Sequence, residues 1–244
     1  MKAKDIKIYT IFDNIPYSNH NSCTSLWGFS ALLETNEHTI LFDSGSNGRV
    51  LLKNMKSKKL DPKKLDTIFI SHGHWDHIGG LDSIIEENPN IKLYVTKHLS
   101  KNFIKDHKTL IQDVIVIEDK ITQILPDIYS SGARKNILDT KDGLIIIFGC
   151  AHSGVGEISQ SIYEYFNKDI LLIMGGFHLA DNSEDDIVKL IDTFRQTKTK
   201  YIAPTHCTGE LARKIFKRDF KEGFIEGGVG FGITFDENAN LLVL

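Results

Sequence analysis

The chain has 244 residues, 41% of them hydrophobic and 25% charged, which excludes a disordered chain and suffices for a sizeable core. A net charge of −3 gives no global attraction to nucleic acid or membrane. No apolar run reaches the length of a membrane span; the longest, such as Ile170 to Met174, have the length of buried strands. The N-terminus reads as alternating residues rather than a signal block, and Cys23, Cys150 and Cys207 are scattered and odd in number. Reduced thiols in a cytoplasmic protein are therefore expected.

Ile6, Tyr9 and Ile11 belong to a β-rich opening. Phe29 to Leu33 and Thr39 to Phe42 predict a hairpin around Asn36. Asp43-Ser44-Gly45 ends its second strand, and a helix is predicted from about Asn47 to Lys56. The apolar strand Thr67 to Ile70 then runs into Ser71-His72-Gly73-His74-Trp75-Asp76-His77-Ile78-Gly79-Gly80. Imidazole nitrogen and carboxylate oxygen are the usual non-thiolate ligands of zinc, and they also suit iron and manganese. On a regular strand His72, His74 and Asp76 would share one face, while the neighbours Asp76 and His77 would be split. A loop leaving the strand end can instead turn one pair toward one metal and the other pair toward a second. Gly79-Gly80 suits such a turn and lets backbone approach closely. Leu81, Ile84 and Ile85 have helical spacing, so the cluster sits at a strand-to-helix corner.

Ile91 to Thr96 reads as a strand. Between His98 and Lys141 the pattern is least regular, with β-like runs at Val114 to Ile117 and Ile124 to Tyr129. Strand–helix alternation then resumes: Leu144 to Phe148 strand, Val155 to Phe166 helix, Ile170 to Met174 strand, and a helix opened by Ser183 and running through Phe194. Ser183 and Asp186 fit a capping box loosely, since Glu or Gln is usual at the third position. Tyr201 to Ala203 is a strand before Pro204, Gly209 to Phe216 is helical, and Gly230 to Leu244 is a closing hairpin with its turn at Glu237-Asn238. No repeat or Pro-rich linker interrupts the pattern, so a single domain over residues 1–244, with sheets covered by helices, is expected.

Three further segments place a histidine just after a buried strand: Gly149-Cys150-Ala151-His152-Ser153-Gly154, Gly175-Gly176-Phe177-His178 and Pro204-Thr205-His206-Cys207-Thr208-Gly209. Loops at one sheet edge converge on a common cleft, where ligands from distant positions meet.

Together these segments resemble the metallo-β-lactamase superfamily over nearly the whole chain. The resemblance implies an α/β fold, a four-layer αββα sandwich. Asp43 in Phe42-Asp43-Ser44-Gly45 matches the first-motif aspartate, which supports a ligand from behind. His72, His74, Asp76 and His77 match His-x-His-x-Asp-His in full, His152 matches the third-motif histidine and His206 the last. Within the superfamily the chain is similar to the branch of 7,8-dihydropterin-6-methyl-4-(β-D-ribofuranosyl)aminobenzene-5′-phosphate synthases and their bacterial relatives. Gly-Gly-Phe-His-Leu and Pro-Thr-His-Cys-Thr-Gly are its more distinctive segments.

The resemblance implies two divalent metal ions, zinc first with manganese or iron as alternatives. His72, His74 and His152 would hold one, and Asp76, His77 and His206 the other. Such a pair activates solvent as a nucleophile at neutral pH, and Asp76 would orient it. The implied activity is hydrolysis, or related metal-assisted chemistry, on a small phosphorylated or ester-type substrate. Many relatives carry a bridging aspartate after the fourth-motif strand; here Met174 to His178 offers no carboxylate and Asp181 lies farther on. His178 is expected to act on substrate or fill part of that gap, with a structural role as the alternative. His74 argues against an oxygen-reducing di-iron site, where that position is typically a glutamate. Cys150 and Cys207 are expected to pack, with metal ligation the minority reading.

The Lys53 to Lys64 basic stretch is read as a solvated face, and Gly227 to Gly232 as a turn feeding the last hairpin. Trp27, Trp75 and Phe177 could line a flat-ring pocket, with core preferred for Trp27. Pro16 to Trp27 and His98 to Lys141 are the loops expected to set specificity. A small-molecule partner is expected and no membrane; nucleic acid is disfavoured, because nucleases of this fold typically add a binding domain. The alternatives are an RNA nuclease and a metal-binding or redox-partner protein without turnover. The sequence assigns no oligomeric state.

Overall fold

The computed structural model describes residues 1–17, 22–111, 113–132 and 135–244. In chain order the elements are β1 (Lys7–Asp13), β2 (Phe29–Glu34), β3 (Thr39–Phe42), α1 (Gly48–Ser57), β4 (Thr67–Ile70), α2 (Trp75–Ile78), α3 (Leu81–Glu87), β5 (Lys92–Thr96), α4 (Lys101–Leu110) and β6 (Asp113–Ile117). There follow β7 (Thr122–Leu125), β8 (Ile128–Ser130), β9 (Lys135–Thr140), β10 (Gly143–Cys150), α5 (Val155–Phe166), β11 (Ile170–Gly176), α6 (Glu184–Gln196), β12 (Tyr201–Thr205), α7 (Glu210–Phe220), β13 (Gly232–Phe235) and β14 (Leu241–Val243). An eight-stranded sheet has the order β14-β13-β1-β2-β3-β4-β5-β6, and a six-stranded sheet the order β12-β11-β10-β9-β8-β7.

Strand periodicity explains how the sheets stack. Side chains on β10 alternate faces. Ile145 and Ile147 point into the core shared with Phe42 and Phe69 of the other sheet. Leu144, Ile146 and Phe148 point outward to Val155 and Ile162 of α5, Ile191 and Phe194 of α6, and Phe216 of α7. On the larger sheet, Leu41, Ile68 and Leu93 face outward to Leu51 and Met55 of α1 and Ile84 of α3. The result is the αββα sandwich. Helix starts are fixed locally: the Val50 N–H donates to Asn47 Oδ1 at 3.1 Å at the start of α1. Ser183 and Asp186 form a complete reciprocal capping box at α6, the shorter Asp serving where Glu is usual.

The structure departs from expectation in the middle of the chain. Ile124 to Tyr129 is two strands, split by the turn at Pro126-Asp127, where Asp127 has φ 59°. His98 to Lys141 is not a loop; it holds α4 and the strands β6 to β9. Of the two stretches expected to shape the pocket, residues 18–21 of one and 112, 133 and 134 of the other lie outside the described residues. Strand β12 runs through Pro204, which is tolerated because β12 is an edge strand. The Gly227 to Gly232 segment does feed β13. Lys53, Lys56, Lys59, Lys63 and Lys64 are exposed. Among the described residues no helix is long and apolar enough to cross a membrane.

Candidate metal centre

Strands β3 and β4 run parallel, as do β10, β11 and β12. Asp43 follows β3, His72 to His77 follow β4, and His152, His178 and His206 follow β10, β11 and β12. Each predicted metal ligand, with Asp43 and His178, thus sits in the segment leaving the carboxyl end of a strand, where open α/β sheets gather ligands. Asp43, His178 and His206 have φ of 56°, 55° and 51°. That left-handed backbone is costly for residues with a Cβ and persists where surrounding packing enforces it.

The His72 to His77 segment is a short loop followed by the single turn of α2, with His74 at its N-cap. The glycine pair serves close approach: a Cβ on Gly79 would lie 2.5 Å from Ser46 O, and one on Gly80 2.2 Å from Ser44 O. The turn sends the side chains in two directions. The ligand atoms of His72, His74 and His152 lie within 4.8 Å of one another, as do those of Asp76, His77 and His206. The groups adjoin, with the His72 and His77 rings 4.2 Å apart.

Buried hydrogen bonds fix the imidazoles. Asp43, fully buried, accepts from the Ser71 N–H on Oδ1 and from Ser71 Oγ on Oδ2, both at 2.7 Å. His77 Nδ1 donates to the same Oδ2 at 2.7 Å. The Ser71 hydroxyl proton is thereby committed, so His72 Nδ1 donates to Ser71 Oγ at 2.9 Å. The lone pair of each ring is then on Nε2. His206 is held by a two-point clamp: its Nδ1 donates to Asn14 Oδ1 at 2.8 Å, and Asn14 Nδ2 donates to the His206 carbonyl at 3.2 Å. Asp13 Oδ1 accepts the His206 N–H at 3.3 Å.

Three acceptors consequently face one another. His206 Nε2 is buried with no hydrogen-bond partner, 3.4 Å from Asp76 Oδ2; His77 Nε2 lies 3.7 Å from the same oxygen. In the neutral rings these lone pairs converge on one point, which a cation would satisfy, and an N/O donor set of this kind fits a divalent ion. Without an ion, protonated imidazoles take its place: burial would raise the Asp76 carboxyl, but the hydrogen bond from His206 and the His77 charge outweigh it and hold it well below the usual carboxylate range. Burial would lower His206, yet the Asp76 carboxylate and the neighbouring Cys207 and Asp13 raise it. Asp13 is pushed up to about 6 by burial, against the Ile15 N–H it accepts and the nearby His206 charge.

The His178 ring lies against that of His152, tilted by 43° with centroids 4.0 Å apart, and its ligand atom groups with those of Cys150 and His152. It lines a cleft of about 680 Å³ together with Asn14, Trp27, Asp181, His206 and Arg213. Trp27 is therefore not core. It is 50% exposed, with its ring 5.4 Å from that of His206. Trp75 is exposed as well, whereas Phe177 is fully buried among Phe148, Phe194 and Phe216. Asp181, set aside as distant, borders the cleft.

The cysteines also differ from expectation. Cys150 Sγ lies 3.2 Å from Cys207 Sγ and 3.5 Å from His77 Nε2, inside the polar cluster rather than the apolar core. The hydrogen bond from Cys150 lowers the Cys207 thiol, against burial and with help from the His206 charge, and the same contact together with burial raises Cys150. Sequence reasoning also missed Asn14, Asp13 and Ser71. Asp13 ends the observed β1 and Asn14 follows it, but the sequence shows only a β-rich opening there, with no strand end to which the rule that picked out His152 and His206 could be applied.

Residues 28–206 match the family model of the metallo-beta-lactamase superfamily. The chain is 30% identical to the 7,8-dihydropterin-6-methyl-4-(beta-D-ribofuranosyl)-aminobenzene-5'-phosphate synthase of Methanocaldococcus jannaschii, over 91% of this chain and 94% of that protein. It is similar in structure to Tm1679, described as a metal-dependent hydrolase of the beta-lactamase superfamily, with 28% identity, a TM-score of 0.77 and coverage of 93% and 98%. With human tRNase Z, short form, it shares the fold alone, at 15% identity and a TM-score of 0.63 over 93% and 98% of the two chains. Sequence match, sheet topology and strand-end histidines agree: the chain belongs to the metallo-beta-lactamase superfamily.

Proposed function

We propose that the chain is a cytoplasmic, single-domain metal-dependent hydrolase acting on a small phosphorylated or ester-type substrate. The observation that carries this reading is the convergence of the Asp76, His77 and His206 ligand atoms within 4.8 Å, beside the His72, His74 and His152 group. Two divalent ions held there would supply Lewis acidity and a solvent nucleophile at neutral pH. Asp76, kept ionised by its neighbours, accepts a hydrogen bond from the attacking water and orients it. His178, which lines the cleft beside His152, would donate to the substrate; its position there supports that reading. Trp27 offers a flat apolar wall, and Arg213, paired with Glu226, a cation on the same lining. The phosphate in the substrate class comes from the M. jannaschii relative, whose name carries a 5'-phosphate.

A second reading is favoured by that same relative, which is a synthase matched over nearly both lengths. The same ion pair would then serve a transfer in which the acceptor is not water. The test is a panel of phosphodiester, phosphomonoester, lactone and β-lactam substrates, run with zinc- or manganese-loaded protein. Turnover that vanishes with chelation and in His72→Ala supports hydrolysis. Metal-loaded protein inert on every class contradicts it, and RNA cleavage lost in His72→Ala replaces it with the nuclease alternative.

A further inference from the structure

After β11 the chain carries no carboxylate where many relatives have a bridging one, and sulfur occupies the corresponding space. Gly176 is the last residue of β11. A Cβ built on it would lie 2.8 Å from Cys207 Sγ and 3.1 Å from His206 Cδ2. A side chain from this strand end would therefore head into the cluster, at the place Cys207 fills. It would also lie 2.3 Å from the Gly149 carbonyl oxygen, so the backbone leaves no room for one.

Cys150 reaches both halves of the centre. Its sulfur groups within 4.8 Å with the ligand atoms of His72 and His77, with those of His152 and His178, and with those of His206 and Cys207. It thus groups with two members of each predicted set. A thiol that merely packs sits among apolar atoms; this one is 4% exposed and faces an imidazole nitrogen and a second sulfur.

We propose that Cys150 is a thiolate ligand shared by the two ions, and that Cys207 is a ligand of the ion held by Asp76, His77 and His206, so that sulfur replaces the missing carboxylate bridge. This inference rests on the two-ion reading above. On binding, each thiol gives its proton to solvent and its sulfur lone pair to the ion, with no change of oxidation state. Two thiolates add two negative charges, where a single bridging carboxylate would add one. Thiolate is also a soft ligand, which selects zinc over manganese, whereas carboxylate suits manganese better. The preference between metals that the nitrogen and oxygen donors leave open is thereby decided for zinc.

The test uses reduced, full-length protein loaded with cobalt(II), whose thiolate complexes show intense near-ultraviolet charge-transfer absorption absent from nitrogen–oxygen sites. Wild type is expected to show that absorption with two cobalt ions per chain. Cys150→Ser and Cys207→Ser each lose part of it, while Cys23→Ser, which alters a thiol beside the Asn54 carbonyl, retains it in full. In the serine variants the ratio of zinc to manganese affinity falls. Cobalt bound by wild type with only weak visible bands overturns the sulfur ligands and leaves the ion pair standing; this holds even if a serine variant fails to fold. No cobalt bound at all overturns the two-ion reading and the inference together.

Discussion

Asp43→Asn is the sharpest perturbation of the support beneath the centre. Asparagine keeps the shape of aspartate and tolerates the left-handed backbone at φ 56°. The Ser71 N–H, 2.7 Å from Oδ1, holds the amide oxygen on its side and turns the new NH2 to the place of Oδ2. There it meets two donors, Ser71 Oγ and His77 Nδ1, each at 2.7 Å. His77 must move its proton to Nε2, the nitrogen aimed at Asp76, and it stops being a ligand. Ser71, no longer able to donate, turns its proton toward His72 Nδ1 and switches that tautomer too. Support bonds of this kind are worth about 10–100-fold in metal affinity, or about 1.4–2.8 kcal/mol. Asp43→Asn should therefore weaken both ions by that factor. Ser71→Ala leaves the bond from His77 to Asp43 intact, so it should weaken only the ion on His72, His74 and His152, at the lower end of the range. Competition titration with a chromophoric chelator reads both constants. The reasoning is refuted if Asp43→Asn binds both ions as tightly as wild type, or if Ser71→Ala weakens the other ion.

Asn14→Ala removes the clamp on His206 and should cost roughly tenfold in affinity for the ion on Asp76, His77 and His206; a loss confined to the other ion would contradict the assignment. In metal-free protein, Asp13 binds a proton in the folded state up to about pH 6 and in the unfolded chain only to the usual 3.8. Its contribution to stability is complete below 3.8 and lost as pH rises through 6, by about 3 kcal/mol. Urea midpoints in chelator at pH 4 and pH 7 should therefore diverge less in Asp13→Asn than in wild type, and equal divergence would refute the claim. Phe177→Ala empties a site with no exposed surface between three phenylalanines and should lower stability by about 3–5 kcal/mol; a urea-derived change below about 1 kcal/mol would count against the packing described.

The parts legible in sequence are those encoded locally. Val155–Phe166 carries its own 3.6-residue period, and the observed helix has those bounds. The His72 to His77 cluster declares its chemistry by composition, although the single turn of α2 is too short to show a period. Helix α4 is hidden because its run, Lys101–Leu110, is mostly polar and, of its apolar residues, Phe103 and Ile104 pack on the core beneath it. Strand β9 contains Lys135, Asn136 and Asp139 and is a strand because β8 and β10 flank it. Trp27 looks the same in sequence whether it packs inside or walls a cleft. Cys150 and Cys207 are 57 residues apart, and only folding brings their sulfurs to 3.2 Å. What the residue string withholds, in each case, is a distance between remote positions.

Metal content after zinc loading and gel filtration, compared among wild type, His74→Ala and His206→Ala, tests the central claim directly. Convergence of the two sets predicts two ions per chain in wild type and one in each variant. Fewer than one ion in wild type, or two retained in both variants, would contradict it.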